Sequence, residues 1–352
     1  MHRTPSWIAV PLTATLLSLT LLAQAQTTAS SQPDASAQGK VTGAKQSTHP
    51  DWFKESFLDI AEDVDEAAAA DKHVILVLEM NGCPYCYKMI EENFKGSPYK
   101  EFIQNNFDVI ALNVQGDREV ALDAETSLTE KALAKQLGVS YTPTVIFLNQ
   151  NKDPVARING YRNPDDFKDV LDYVAAKAYE TQTLAQFQAS HKTQRSYDFR
   201  PHPQLQAIDD LSSVTDKPLA LLFEDSACIA CDALHDGNLG DPEVNKALKD
   251  FVFVRLDDQS DTPITAPDGT KTTAKQLADR LGITYRPTLV LYDKGKEILR
   301  IESMLYRYHF LGLLEYVGQR QYETYPNAPF DYINAKTAKL TSQGKDVSVS
   351  DE

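Results

Sequence analysis

The chain has 352 residues, enough for about two domains that each bury their own core. Its formal net charge of −15 argues against nucleic acid and anionic membrane surfaces as main partners. Its four cysteines occur in two pairs, CPYC at Cys83 to Cys86 and CIAC at Cys228 to Cys231.

Residues 1–25 have the pattern of a secretory signal peptide. A basic start at Arg3 precedes an apolar run and an Ala-Gln-Ala motif, which predicts cleavage before Gln26. No later stretch is apolar enough to span a bilayer, so we expect an exported, periplasmic chain without stable membrane insertion after cleavage. Residues 26–50 are rich in Ser, Thr, Gln, Ala and Gly, which predicts a flexible linker.

Each half of the remaining chain has the same predicted elements. In the first half, WFKESFLDIAEDVDEAA favours a helix, HVILVLE a buried strand, and CPYC the start of a second helix. A helix, a strand and another helix follow as SPYKEFIQNNF, FDVIALNV and LTEKALAKQLG. The strands TVIFLN and VARING and the helix NPDDFKDVLDYVAAKAY complete the unit. This order predicts an α/β fold, a central mixed sheet flanked by helices.

The sequence repeats itself at an interval close to the length of one such unit. VLEMNGCPYC returns as LFEDSACIAC after 145 residues, and KQLGVSYTPTVIFLNQ returns as DRLGITYRPTLVLYDK after 144. Ordered matches of this kind indicate a duplication. The predicted domains are residues 51–190 and 204–335, with a linker at 191–203 and a polar tail at 336–352.

Three features together resemble the thioredoxin superfamily. These are a CxxC between strand and helix, a Tyr-x-Pro-Thr segment and a terminal strand-strand-helix unit, and the set occurs twice. The first repeat resembles the SoxW-like periplasmic thioredoxins associated with sulfur oxidation, through CPYC, LNVQGDREV, LGVSYTPTVIF and RINGY. The second is similar to the C-terminal domain of the membrane reductase DsbD, through CIAC and DPEVNKALKDFVFVRLD. The resemblance implies two tandem thioredoxin-like domains.

The cysteine spacing suits redox chemistry. Two intervening residues bring the sulfurs within disulfide reach, and the N-terminus of the helix stabilises a thiolate on the first cysteine. Cys83 and Cys228 are therefore the predicted nucleophiles, and Cys86 and Cys231 the predicted resolving thiols. A four-cysteine zinc site and two purely structural disulfides are the alternatives, although zinc knuckles normally lie closer in sequence and a CxxC loop is too small to constrain the unfolded chain much.

The resemblance also assigns roles to residues near each cysteine pair. It implies that Pro143 and Pro287 follow cis peptide bonds and that the backbone of Thr142 and Arg286 pairs with an extended substrate. The alternative is that both are ordinary turn prolines. Tyr85, between two active cysteines, is expected to be exposed and to contact the substrate.

One position departs from the superfamily pattern. Many thioredoxins carry a buried aspartate six residues before the first cysteine, where this chain has Val77 and Leu222. Glu79 and Glu224 lie four residues before it instead and could accept the proton of the resolving thiol. The alternative, favoured by the usual exposure of glutamate, is a solvated charge at the end of a strand. His235 is likewise expected at the surface.

A charge difference distinguishes the two predicted centres. Arg286 stands where the first repeat has Thr142, and a guanidinium beside the sulfur would lower the pKa of Cys228. The alternative is that Arg286 extends into solvent and attracts acidic partners.

These observations predict an exported thiol–disulfide oxidoreductase of the protein-disulfide reductase type. Protein disulfides or thiols are the expected partners, and a membrane thiol reductase is the expected electron donor. No bound cofactor or metal is expected, because the cysteines store the electron pair. A disulfide oxidase or isomerase is an alternative, since the motif does not set the direction of transfer. A further alternative is a non-enzymatic peptide-binding module.

Overall fold

Two four-stranded mixed sheets, one in each repeat, organise the chain. The computed structural model describes residues 38–123, 125–191 and 197–351. The predicted signal peptide and residues 26–37 of the predicted linker lie outside the described residues. From Gln38 onward the chain forms one compact unit.

The described residues up to His191 contain seven strands and six α-helices, of which the first strand precedes the first repeat. The strands are β1 (Val41–Thr42), β2 (His73–Glu79), β3 (Phe107–Asn113), β4 (Glu119–Ala121), β5 (Ser127–Thr129), β6 (Thr144–Leu148) and β7 (Pro154–Asn159). The helices are α1 (Ile60–Ala69), α2 (Pro84–Met89), α3 (Lys100–Asn106), α4 (Glu130–Gln136), α5 (Pro164–Ala175) and α6 (Leu184–His191). The sheet order is β3-β2-β6-β7, with β2 parallel to β3 and the other pairs antiparallel.

The second repeat has the same sheet. Its strands are β8 (Leu219–Glu224), β9 (Val252–Asp257), β10 (Pro263–Thr265), β11 (Lys271–Thr273), β12 (Thr288–Asp293) and β13 (Lys296–Ile301), and β14 (Val347–Ser348) follows it. Its helices are α7 (Ile229–Asp236), α8 (Pro242–Ala247), α9 (Ala274–Leu281), α10 (Arg307–Gly318) and α11 (Pro329–Ser342). The order β9-β8-β12-β13 repeats the first sheet, so the predicted α/β class with two mixed sheets is confirmed. None of the described helices is long and apolar enough to cross a membrane.

Strand β2 explains why helices cover both faces of its sheet. All but its last residue are buried, and successive side chains point to opposite faces. Ile75 and Val77 join one apolar cluster, whereas Leu76 and Leu78 join another. A strand buried on both faces requires the continuous apolar run that HVILVLE provides.

One apolar cluster runs through both repeats. It contains Ile75 and Phe147 of the first repeat and Leu222 and Leu291 of the second. Polar contacts reinforce this junction. The Tyr141 hydroxyl donates to the Arg300 carbonyl at 2.9 Å, and the amide of Asn159 donates to Glu302 at 2.7 Å. The Arg162 guanidinium lies 4.1 Å from the Tyr285 ring centroid. The repeats therefore pack against each other instead of being joined only by the chain.

The ends of the described chain differ from the predicted linker at 26–50 and the predicted tail at 336–352. Strand β1 pairs in parallel with β14, and helix α11 continues to Ser342. Composition alone indicated no structure here, because the residues are polar and lack apolar periodicity. Backbone hydrogen bonds between the two segments and the burial of Val347 order them instead.

Candidate redox site

The first cysteine pair begins a helix, as its spacing predicts. Cys83 is the N-cap of α2, Pro84 occupies the first turn, and Cys83 is disulfide-bonded to Cys86. The Cys86 N–H donates to the Cys83 sulfur at 3.0 Å. Proline suits this position because the first helical N–H groups have no partner within the helix. The helix therefore directs its N–H groups toward the predicted nucleophile.

The Tyr-x-Pro-Thr segment lies beside this pair. The Thr142–Pro143 peptide bond is cis, and the Thr142 hydroxyl lies 3.5 Å from the Cys83 sulfur. The Thr142 carbonyl oxygen lies 3.6 Å from the same sulfur. The corresponding Arg286–Pro287 bond in the second repeat is also cis.

Tyr85 does not have the expected exposure. It is only 6% exposed, and its ring stacks on that of Tyr306 in the second repeat at 5.0 Å. Its oxygen accepts from the Tyr306 N–H at 3.1 Å and forms a second hydrogen bond, of 2.8 Å, with Nδ1 of His309. Burial raises the pKa of Tyr85 and lowers that of His309 to about 4. The prediction of an exposed substrate contact is thus wrong, because the second repeat packs over Tyr85.

The second cysteine pair also begins a helix, but without a cap hydrogen bond to the first sulfur. Cys228 is the N-cap of α7 and is disulfide-bonded to Cys231. Cys228 is 4% exposed and Cys231 is fully buried. The two pairs thus form separate disulfides, whose sulfurs lack the thiolate that a zinc ion binds. In the described part of the chain, no three His, Cys, Asp or Glu side chains are grouped as a metal site.

Part of the predicted linker at 191–203 covers this second pair. Tyr197 is buried in a small cluster with Cys228 and Cys231, and Phe199 packs against that cluster. The Tyr197 N–H donates to the Ser226 carbonyl at 2.6 Å. Local composition does not identify this role, because the segment is polar apart from its two aromatic residues. Residues 197–199 therefore belong to the second centre.

Glu224 is fully buried, so its expected solvation at the strand end is wrong. Nε2 of His235 lies 2.8 Å from the Glu224 carboxylate, and the Tyr197 hydroxyl donates to the same oxygen at 3.2 Å. Desolvation and the Glu224 charge raise the pKa of Tyr197 to about 12. His235 is buried as well, contrary to the surface position expected for it. It lies one turn after Cys231 on α7, which places both side chains on one face of the helix.

The first centre has a different arrangement. Glu79 is partly buried, and Nε2 of His49 lies 2.5 Å from its carboxylate. Ile90 occupies the position that corresponds to His235. The two repeats therefore share a glutamate before the cysteines, but only the second encloses it with a histidine on the redox helix.

Arg286 neither extends freely into solvent nor acts as an isolated charge beside Cys228. Its guanidinium contacts the buried carboxylate of Asp258 and lies 3.6 Å from that of Asp225. Two carboxylates so close offset its positive charge. The lower pKa expected for Cys228 stays a prediction, and the buried Glu224 is a second difference between the centres.

The fold and the two centres define the class of protein. Each domain places a CxxC disulfide at the start of the helix that follows the central strand, next to a proline segment, which is the arrangement of thiol–disulfide oxidoreductases. A family profile described as a thioredoxin-like domain matches residues 60–175 and 206–318. The matches cover more than half of the chain, which therefore belongs to this family of thioredoxin-like domain proteins.

Comparison with solved structures finds thioredoxin folds. A thioredoxin-fold protein from Helicobacter pylori is 21% identical over 34% of this chain and 81% of its own, with a TM-score of 0.31. The oxidised C-terminal domain of DsbD from Neisseria meningitidis is 19% identical over 33% of this chain and 91% of its own, with a TM-score of 0.23. The first two thioredoxin domains of Saccharomyces cerevisiae Eps1p are 13% identical over 70% of this chain and 89% of their own, with a TM-score of 0.25. Among curated protein sequences, none matches significantly.

Proposed function

We propose that this protein is a periplasmic disulfide reductase or electron relay that acts on protein disulfides through its two CxxC centres. The observation that carries the proposal is the position of Cys83 and Cys228 as N-caps of helices in thioredoxin-like domains. N–H groups and the positive end of the helix favour a thiolate there once the disulfide is reduced. The N-terminal sequence pattern supports export, and the cysteine pairs themselves would store the electrons.

The proposed reaction has two exchange steps. The thiolate of Cys83 or Cys228 attacks one sulfur of the substrate disulfide, a mixed disulfide forms, and the other substrate sulfur leaves as a thiolate. The thiolate of Cys86 or Cys231 then attacks the first cysteine and releases the second substrate sulfur. The substrate gains two electrons, the CxxC pair becomes a disulfide, and a membrane thiol reductase would restore the dithiol.

The resolving step needs a proton acceptor, and we propose Glu224 for the second centre. Its carboxylate is held by His235, one turn after Cys231, and by Tyr197, which packs on both cysteines. Transfer of the Cys231 proton to Glu224 would leave the thiolate that attacks Cys228. Glu79 is the corresponding acceptor proposed for Cys86.

Trapping experiments test the cysteine roles. Cys86→Ser and Cys231→Ser should accumulate mixed disulfides with partners, whereas Cys83→Ser and Cys228→Ser should abolish exchange at their own centre. Trapping by the variants of the first cysteines would contradict the assignment. The direction of electron transfer is tested by the reduction potential of each pair. Values of about −270 mV would support a reductase, and values of about −120 mV would indicate an oxidase.

The burial of all four cysteines favours a second candidate, a peptide-binding module with inert disulfides. Cys83 is 1% exposed and Cys228 is 4% exposed. Disulfides that resist dithiothreitol in the folded chain, together with no exchange with a small disulfide, would support this module. Reduction without unfolding would support the oxidoreductase.

A further inference from the structure

Two adjoining cavities open at the second redox centre. One, of about 480 Å³, is lined by Cys228 and by the segment from Thr284 to Arg286. The other, of about 550 Å³, lies between helix α7 and the loop after β13. Ala230, which stands between the two cysteines, lines both cavities, as do Asn163 and Tyr285.

We propose that these cavities form one composite binding site for an extended peptide segment that carries an apolar side chain close to its reacting cysteine. The site belongs to the second centre, but the first repeat supplies part of its wall. This inference rests on the proposed function, because the peptide is bound as a disulfide substrate of Cys228.

The first repeat contributes to both cavities. Asn163 and Asp169, at the start and middle of α5, line the cavity at Cys228. Lys88, two residues after Cys86 on the first redox helix, and Tyr161 line the larger cavity. The second centre therefore has a substrate wall that its own domain does not contain.

The lining of the larger cavity selects an apolar side chain. The apolar lining residues include Ala233, Leu234, Pro287, Leu289, Ile301 and Leu305. Most charged side chains at its border are paired: Arg307 lies 3.7 Å from Asp241 and 3.1 Å from Glu243, and Lys88 lies 3.3 Å from Glu92. The carboxylate of Asp351 accepts a hydrogen bond from the Arg307 N–H at 2.8 Å. An apolar side chain loses nothing on entering such a space and gains from leaving water, whereas a charged one loses hydration.

The reaction geometry brings the peptide into this space. For exchange, a substrate sulfur must reach Cys228, so the residues next to it occupy the cavity at that sulfur. Because Ala230 borders both cavities, a chain that continues past it reaches the larger one within a few residues. At the first centre the second repeat packs over Tyr85, and Cys83 is 1% exposed.

Synthetic peptide disulfides test the inference. The reduced full-length protein is mixed with three peptide disulfides that differ in a single residue type. This residue is Leu, Ser or Lys and stands two positions to either side of the cysteine. The Leu peptide should react about tenfold faster than the Ser peptide, and the Lys peptide should be slowest. With the full-length Cys231→Ser variant, mass spectrometry should find the Leu peptide on Cys228.

A cavity-filling variant locates the preference. Ala233 is exposed on α7 and faces the larger cavity, so Ala233→Leu occupies the space without crowding the core. The ratio of Leu to Ser rates should fall close to one in this variant. The matched control Ala335→Leu lies at an exposed position of α11 outside both cavities and should keep the ratio.

The outcomes separate this inference from the proposed function. Equal rates for the Leu and Ser peptides, an unchanged ratio in Ala233→Leu, or capture at Cys83 would overturn the composite site. A lack of reaction with every disulfide, including a small aromatic one, would overturn the proposed function and the site with it. The peptide series on the unmodified chain decides the question even if Ala233→Leu does not fold.

Discussion

The Tyr85 hydroxyl and Nδ1 of His309 form a hydrogen bond of 2.8 Å, which joins the first redox helix to α10 of the second repeat. The same oxygen accepts from the Tyr306 N–H, so one phenol satisfies two groups across the junction. This contact couples access to Cys83 with the docking of the second repeat.

Substitution of Tyr85 should weaken that docking in two separable steps. Tyr85→Phe keeps the stack on Tyr306 but leaves two buried polar groups unpaired, and we expect a loss of about 1–3 kcal/mol in the free energy of unfolding. Tyr85→Ala also removes the ring and should cost about 3–5 kcal/mol. Urea unfolding measures both values. The half-buried Tyr87 provides the control, because Tyr87→Phe should change stability by less than about 0.5 kcal/mol.

Access to the first disulfide should follow the same order. Reduction of Cys83–Cys86 by dithiothreitol under native conditions should be fastest in Tyr85→Ala, because the ring that holds the second repeat against this helix is gone. Equal reduction rates in Tyr85→Ala and the unmodified chain would contradict the idea that the second repeat closes the first centre.

Acid should destabilise this junction through His309. Burial holds the pKa of His309 at about 4, below its ordinary 6.5, although the charge of Asp351 opposes the shift. The unfolded chain therefore binds more protons between these values, so stability should be fully present above pH 6.5 and should fall as the pH drops toward 4. The loss should be on the order of 1–3 kcal/mol.

Unfolding measured from pH 7 to pH 4 tests the role of His309. In His309→Asn, the free energy of unfolding should change less steeply with pH over this range, because the contribution of the histidine is absent. An unchanged slope would assign the pH dependence to other groups.

Glu224→Gln should slow the resolving step at the second centre. The amide keeps a hydrogen-bonding shape beside His235 but accepts no proton, so release of the mixed disulfide from Cys228 should fall by about 100-fold or more. The rate should be followed across pH, because loss of a proton acceptor changes the pH profile, whereas a packing defect lowers the rate uniformly. Glu79→Gln is the matched variant for the first centre and should leave release from Cys228 unchanged.

Tyr197→Ala should uncover the second disulfide. The ring packs on Cys228 and Cys231, so its removal should raise the rate of reduction by about tenfold, equivalent to about 1.4 kcal/mol of lost protection. Tyr197→Phe keeps the ring and loses only the hydrogen bond to Glu224, so its reduction rate should stay close to that of the unmodified chain. A similar increase in both variants would mean that the hydrogen bond, not the ring, covers the site.

The sequence by itself determined the duplication, the order of strands and helices in each repeat and the start of a helix at each cysteine pair. These features follow from local causes. A continuous apolar run such as HVILVLE is shielded from water only inside a sheet covered on both faces. A CxxC after such a strand suits the first turn of a helix.

Tertiary structure alone decided which groups enclose the two centres. Tyr85 is buried because a residue more than 200 positions away stacks on it, and Tyr197 covers Cys228 from a segment with the composition of a linker. Glu224 and His235 are paired because strand β8 and helix α7 bring them together, although each alone has the character of a surface residue. Periodicity reports which face of an element is apolar, but the surface that covers this face is set by the packing of distant parts of the chain.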